Sequence, residues 1–358
     1  MRIVVNDIAA SEGGAMSVLK DFYEEVKEFG ADHEWIFLLG DYYLEETPNI
    51  KVYVYPEIKK SWLKRLNFDF YFGKNIVNEF KPDIYLSLQN TATLGIRCQQ
   101  VVYLHQPLPY QKEKRYSLLK KQEVKYAVYQ KLIGRIINFL FKKTKAKIIV
   151  QSVWMKKSIE QKISNQVKVI VPKINNDLMN MTSFSEEKYK TQNVKKFFYP
   201  ASYYPYKNHE ILFRAVEELL KDNINNFTVY LTLNKDLFKN GTIPANIKFL
   251  GNLDRKKVFE LYAQSVLLFP SYIETFGLPL LEAKIVQSPI IVAQTEFSNE
   301  ILSDYKNTLY FNKEDYHELK EKMKLFITND FTVEKLALPK DDFNNLSIFN
   351  YLAEEENF

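Results

Sequence analysis

The sequence predicts two successive α/β domains, each a mostly parallel sheet covered by helices on both faces. Three observations carry that expectation. At 358 residues the chain is too long for one ordinary core. Short β-branched and aromatic runs alternate with helical periodicities along nearly all of it. Around NNDLMNMTSFSEEKYKTQN (Asn175–Asn193) the alternation lapses into polar residues and then resumes, which is what a linker does. The first domain is therefore expected over 1–175 and the second over 193–339. The last stretch, 340–358, is expected to return as a helix and pack on the first domain.

The elements follow in order. RIVV (Arg2–Val5) reads as a short buried strand. After NDIAASEGGA comes a helix with Val18, Phe22 and Val26 at helical spacing and Gly30 as its stop. WIFLL (Trp35–Leu39) and KVYVY (Lys51–Tyr55) read as strands, and a helix precedes PDIYLSL (Pro82–Leu88). QVVYLH (Gln100–His105) continues the pattern, a long helical stretch is expected over 111–143, and AKIIVQS (Ala146–Ser152) closes the series as a strand. The second alternation begins with KFFYPAS, the helix KNHEILFRAVEELLKD (Lys207–Asp222), FTVYLTL (Phe227–Leu233) and IKFLG (Ile247–Gly251). It ends with RKKVFELYAQS, VLLFP (Val266–Pro270), a helix in LPLLEAKIVQ opened by Pro279, and PIIVAQ (Pro289–Gln294). Ligands of such folds sit outside the carboxyl ends of the strands, so a cleft between the domains is the expected binding place.

Composition narrows the class. A hydrophobic fraction of 46% with 26% charged residues is ordinary for a globular protein. The single cysteine, Cys98, excludes an intramolecular disulfide framework and fits a reducing compartment. MRIVVNDIAAS lacks the apolar core of a signal peptide, and no apolar run approaches the roughly 18 residues that span a bilayer. A cytoplasmic protein, free or peripheral on the inner face of the membrane, is the expectation.

Charge is unevenly spread. Residues 1–50 hold 3 Lys/Arg against 11 Asp/Glu, whereas 51–172 hold 24 against 7 and 173–358 hold 22 against 26. Between Lys112 and Lys147 there are 12 Lys/Arg and 2 Glu, interleaved with Tyr116, Tyr126, Tyr129, Phe139 and Phe141. IKKSWLKRLNF (Ile58–Phe68) adds a second basic segment. Cationic amphipathic surface with aromatics suits an anionic membrane face. A solvated basic face is the equal alternative. Nucleic acid ranks last, since no binding signature accompanies the charge.

The chemistry concentrates in SYIETFGLPLLEA. Glu274 stands in a loop after an apolar run, and Glu282 lies within the following helix. Gly277 removes a Cβ that would block close approach to the backbone, and amides at a helix start suit a diphosphate. Carboxylates accept well from sugar and ribose hydroxyls. In SYYPYKNHEILFRAV, Lys207 at a helix start adds a point charge suited to phosphate, although taken alone it is equally an exposed lysine. Gly13 and Gly14 in SEGGAM follow the first strand, and His105 in YLHQPLPY ends another. No D-x-D pair and no His/Cys cluster with ligand spacing is present, so no metal is expected.

SYIETFGLPLLEA resembles the E-x7-E signature of family 4 glycosyltransferases, in the same strand–loop–helix context. That family has the GT-B fold of two Rossmann-like domains facing a central cleft. The resemblance implies that Glu274 lies against the donor hexose and that Glu282 holds the ribose hydroxyls of a nucleotide sugar, a UDP- or GDP-sugar. It places the amides of Phe276, Gly277 and Leu278 beside sugar and phosphate. Lys207 resembles the family's lysine on the leaving diphosphate. The family carries an arginine about six residues earlier, where this chain has Pro200–Ser202. Ser202 can bond a phosphate oxygen but brings no charge. Gly13 and Gly14 resemble the family's glycine pair near donor and acceptor, and His105 the histidine near the transferred sugar. Glu300 in FSNEIL resembles a further family glutamate, and FLGNL the turn beside the base. A retaining, metal-independent transfer of a hexose onto a glycan or lipid-linked acceptor follows as the implied function, in surface-polysaccharide assembly. A sugar-nucleotide epimerase and a non-catalytic nucleotide-sugar binder stand as alternatives.

Overall fold

Apolar runs with no charge until their ends belong to parallel strands buried on both faces. Every paired strand among the described residues is parallel to its neighbours. The computed structural model describes residues 1–10, 13–172, 183–238, 243–334 and 347–354. The chain divides into two units, one of Met1–Pro172 with Phe343–Phe358 and one of Lys173–Asp342.

In the first unit, β1 (Arg2–Asp7), β2 (Glu34–Leu39), β3 (Ile50–Val54), β4 (Ile84–Ser87), β5 (Gln99–Tyr103), β6 (Lys147–Val150) and β7 (Val167–Val169) form one sheet. Their order is β3-β2-β1-β4-β5-β6-β7, so the direction of winding reverses between β1 and β4. Period-2 alternation sends Ile3 and Val5 to one face and Val4 to the other. The first face is covered by α1 (Gly13–Phe29) through Leu19, Phe22 and Val26, which meet Trp35 and Phe37 of β2. Phe22 stands edge-on to Trp35 at 5.8 Å. The C-terminal helix Ile348–Glu354 joins this core, with Phe349 5.9 Å from Trp35 and 6.3 Å from Phe29.

The stretch 111–143 is not one helix. Helical structure begins only at Val124, passes through a π turn at Tyr129–Ile133 and continues as α2 (Gly134–Thr144). Glutamines hold the preceding segment out of a helix. Gln111 and Gln130 both donate to the Lys114 carbonyl, at 2.7 and 2.9 Å, and Gln130 accepts from the Tyr116 amide at 3.1 Å. Tyr116 is buried and stacks on Tyr126. Lysine and leucine content predicts a helix there, but side-chain amides have taken the backbone groups a helix needs. A Cβ on Gly134 would lie 2.6 Å from that of Pro109, so only glycine allows this contact. α3 (Val153–Glu160) then leads toward β7.

The second unit repeats the design. β8 (Lys195–Tyr199), β9 (Phe227–Leu231), β10 (Ile247–Phe249), β11 (Val266–Phe269), β12 (Ile290–Ala293) and β13 (Thr308–Phe311) are arranged β10-β9-β8-β11-β12-β13. The reversal falls between β8 and β11. Helices α4 (His209–Lys221), α5 (Arg255–Tyr262), α6 (Leu278–Ile285), α7 (Glu296–Leu302) and α8 (Tyr316–Ile327) cover it. Two boundaries differ from the sequence reading. Lys207 ends a 3-10 turn (Pro205–Lys207) rather than opening α4, because Asn208 is left-handed at φ 56°. Leu278, not Pro279, is the first residue of α6, with Gly277 as its cap.

Replacing Phe349 with alanine should cost the first unit about 3 kcal/mol, the usual loss for a buried phenylalanine. A lowered urea midpoint for that unit, followed by circular dichroism, checks it.

Candidate active site

A parallel sheet leaves an opening where its strand order reverses, because the loops after the two strands turn to opposite faces. In the second unit those loops follow β8 and β11. They are the segments 200–208, with Ser202 and Lys207, and 270–277, with Glu274 and Gly277. The main chain joins them: the Tyr272 amide donates to the Tyr206 carbonyl at 3.0 Å, and Ser271 Oγ lies 3.3 Å from the same oxygen. This brings Lys207 over Glu274, and Lys207 Nζ donates to Glu274 Oε1. Ser271 Oγ donates to that oxygen too, at 2.7 Å. Both charged side chains are only 16% exposed.

The turn under Lys207 is held from three sides. Tyr199 Oη donates to the Lys207 carbonyl at 2.8 Å. Asn208 Nδ2 donates to the Lys313 carbonyl at 2.9 Å, and the Lys207 amide closes on Tyr204 at 2.9 Å. Burial, with Glu274 nearby, pushes the Tyr199 hydroxyl well above its ordinary pKa and keeps it a neutral donor. Ser202 is exposed in the same loop. Gly277 adopts φ +100°, and a Cβ there would press on Phe297 at 3.3 Å, so glycine is required. First-turn amides of a helix have no acceptor within it, which turns the α6 start at Gly277–Leu278 into an anion-directed end. The Phe276 ring is buried beside this turn.

Glu282 sits in the second turn of α6 with both oxygens engaged. Arg255 Nη2 donates to Oε1 at 2.8 Å, and Tyr262 Oη donates to Oε2 at 2.9 Å. Burial raises its pKa, opposed by Arg255 and Tyr262. Arg255 is 57% exposed. Each oxygen thus has one protein donor and retains a further acceptor position. Glu300, half-buried on α7, lies farther along the chain, and Gly251 of the FLGNL turn is left-handed at φ +67°.

Gly13, Gly14 and His105 belong to the first unit. Residues 11–12 lie outside the described residues, and Gly13 opens α1. A Cβ on Gly14 would meet nothing within 4 Å, so its own packing does not demand glycine. His105 lies just past β5. Its amide donates to Asn90 Oδ1 at 2.7 Å and its Nε2 lies 3.2 Å from Asn90 Nδ2. With the amide donating to Nε2, the proton rests on Nδ1, a buried atom with no hydrogen-bond partner. Burial lowers the pKa to about 4, so the ring is neutral at pH 7. Asp7, at the end of β1, is 1% exposed and burial pushes its carboxyl up to about 7. It shows no motif in the sequence, nor do Arg255 and Tyr262, and Ser271 stands in SYIETFGLPLLEA with no role of its own expected there. An Arg/Tyr pair spaced i, i+7 on one helix was the one available signal. Among the described residues no group of three or more His, Cys, Asp or Glu could hold a metal ion.

Residues 180–338 match the family model described as glycosyl transferases group 1. An uncharacterized glycosyltransferase of Methanocaldococcus jannaschii is 25% identical over 191 residues, which cover 51% of this chain. The aligned region is about half, 50%, of that relative's own length. Among solved structures, WaaG, a glycosyltransferase involved in lipopolysaccharide biosynthesis, aligns with a TM-score of 0.68 at 16% identity, covering 91% of this chain and 90% of its own. Anabaena HepE in complex with UDP-glucose aligns with a TM-score of 0.63 at 16% identity, covering 92% and 90%. Sucrose-phosphate synthase from Thermosynechococcus elongatus gives 0.64 at 13% identity, covering 92% and 90%. The fold is thus the GT-B type, two Rossmann-like domains with parallel sheets of seven and six strands.

His209, at the head of α4, packs its ring 5.0 Å from Tyr199 and 5.8 Å from Tyr203, and neither ring nitrogen has a hydrogen-bond partner. Burial, then the charge of Lys207, lowers its pKa from 6.5 to about 3. An unfolded histidine takes up a proton below 6.5 that the folded one refuses until about 3, so stability falls as pH drops through that window. His209→Phe keeps the ring packing and removes the titration. Its stability relative to wild type should rise by about 2 kcal/mol between pH 7 and pH 5 in urea titrations.

Proposed function

We propose that the protein is a retaining glycosyltransferase that moves a hexose from a UDP- or GDP-sugar to a hydroxyl of a lipid-linked glycan, in cell-surface polysaccharide assembly. The observation that carries this reading is Lys207 paired with Glu274 at the strand-order reversal, beside the left-handed Gly277. A cation, a carboxylate and an open helix end there suit a diphosphate with a sugar attached. The group 1 match over 180–338 spans these residues, and HepE, a fold neighbour, was solved with UDP-glucose.

In this reading Glu274 accepts from hexose hydroxyls while Lys207, the Phe276–Leu278 amides and Ser202 take the diphosphate. Glu282, held by Arg255 and Tyr262, takes the ribose through its remaining acceptor positions. The bond from the anomeric carbon to the phosphate oxygen breaks, and the acceptor oxygen bonds to that carbon on the same face. The acceptor's proton passes to the departing phosphate oxygen. No side-chain base and no metal is required; orientation and charge stabilisation supply the rate. His105 Nδ1–H is the first-unit donor assigned to the transferred sugar, and Gly13 and Gly14 give backbone access to donor and acceptor.

The test is incubation with UDP-, GDP- or dTDP-hexose and a lipid-linked oligosaccharide, read by mass spectrometry. Product one hexose heavier, absent with Glu274→Ala although that variant stays folded, is the expected result. An epimerised donor, or donor bound and unchanged, would replace transfer with one of the other functions.

The basic surface belongs to the same proposal. Leu63, Leu118, Leu119 and Leu132 are exposed, with Lys60, Lys64, Lys120, Lys121 and Lys131 in the same segments. Phe70 stacks on Phe139 at 6.1 Å, tying the turn after 58–68 to α2. Peripheral contact with an anionic cytoplasmic leaflet through 58–68 and 112–147 follows. Cosedimentation with phosphatidylglycerol vesicles, lost in phosphatidylcholine alone and weakened by salt, checks it.

A further inference from the structure

We infer that the Lys207–Glu274 pair is an exchange element by which the site tells a sugar-bearing nucleoside diphosphate from the sugar-free one. The inference rests on the function proposed above and gives Glu274 a role beyond touching the sugar.

Lys207 and Glu274 together are formally neutral, and each is largely withdrawn from water. An anion arriving at Lys207 must either pull the ammonium away from Glu274 or sit beside the carboxylate charge. Pulling it away removes the cationic partner of a carboxylate that is mostly buried, a costly change unless another donor replaces it. Ser271 Oγ stays on Oε1 but is a neutral donor and cannot compensate the charge. A free nucleoside diphosphate has no hydroxyl at its terminal phosphate to offer. A hexose on that phosphate does. Its hydroxyls donate to Glu274 while Lys207 turns to the phosphate oxygens, so both charges are satisfied at once.

The same exchange runs backward after transfer. Once the hexose has moved to the acceptor, Glu274 loses its hydroxyl donors and competes for Lys207 again. The grip on the nucleoside diphosphate weakens when the sugar leaves, and product release is favoured. The Tyr272 amide keeps the two loops joined at the Tyr206 carbonyl throughout, so the exchange needs only side-chain rotation.

The experiment is calorimetric titration of UDP and GDP into the wild type, Glu274→Gln, Lys207→Met and the double variant. Glu274→Gln should bind the preferred nucleoside diphosphate about tenfold more tightly than wild type, ~1.4 kcal/mol. The gain should vanish when Lys207→Met is already present. Thermal unfolding verifies that each variant is folded, and Glu274→Ser carries the same expectation should the glutamine variant not fold. Equal or weaker binding by both carboxylate-free variants, with measurable binding by wild type, would overturn the inference and leave the proposed function standing. A wild type that binds neither nucleoside diphosphates nor their sugars would overturn both.

Discussion

One main-chain hydrogen bond organises the second unit's site: the Tyr272 amide on the Tyr206 carbonyl. Loops leaving adjacent parallel strands at a reversal of strand order diverge, since their helices lie on opposite faces of the sheet. Nothing in sheet geometry alone would hold Lys207 near Glu274. The Tyr206–Tyr272 bond closes the divergence at its base, and Ser271 Oγ ties the second loop's own turn to Glu274. Each residue beyond it then has few places to go. Tyr199 fixes the turn from below, Asn208 anchors it laterally to Lys313, and Gly277 lets the second loop enter α6 without colliding with Phe297.

Buried histidines and buried carboxyls have opposite consequences for stability. His209 stays neutral where a free histidine would be charged, so acid weakens the second unit. In the first unit burial pushes the Asp7 and Asp69 carboxyls up to about 7, each well above 3.8, and their share of stability is lost as pH rises through that window. His105 acts in the direction of His209. Asp69 is not isolated; it accepts from Thr93, which meets the Tyr85 hydroxyl, which in turn accepts from Asn6. That chain satisfies polar groups on the face opposite α1, where a purely apolar core would otherwise be expected.

What the sequence disclosed, and what it withheld, follows from the range of the interactions. The alternation of strands and helices was legible because parallel strands are apolar throughout and helices carry their own period. The loop from Ser271 to Gly277 was legible because glycine, proline and two glutamates lie within a few residues. Glu282 looked free because its partners are distant in sequence, Arg255 27 positions and Tyr262 20 positions before it. The stretch 111–123 looked helical because glutamines at 111 and 130 act across a gap that propensity cannot see. The two-residue shift at Lys207 came from a single left-handed asparagine, a backbone state that asparagine tolerates but does not announce.

Gly134 has one more consequence. Because a side chain there would strike Pro109, α2 lies directly on the loop that leaves His105. Tyr110 Oη donates to Asn138 Oδ1 of the same helix at 2.8 Å, and Lys162 Nζ donates to the Pro109 carbonyl. The lysine-rich helix and the residues after His105 are thus packed directly together, at Gly134 on Pro109 and at Asn138 on Tyr110. A displacement of α2 would therefore carry the residues that follow His105 with it, through Pro109 and Tyr110.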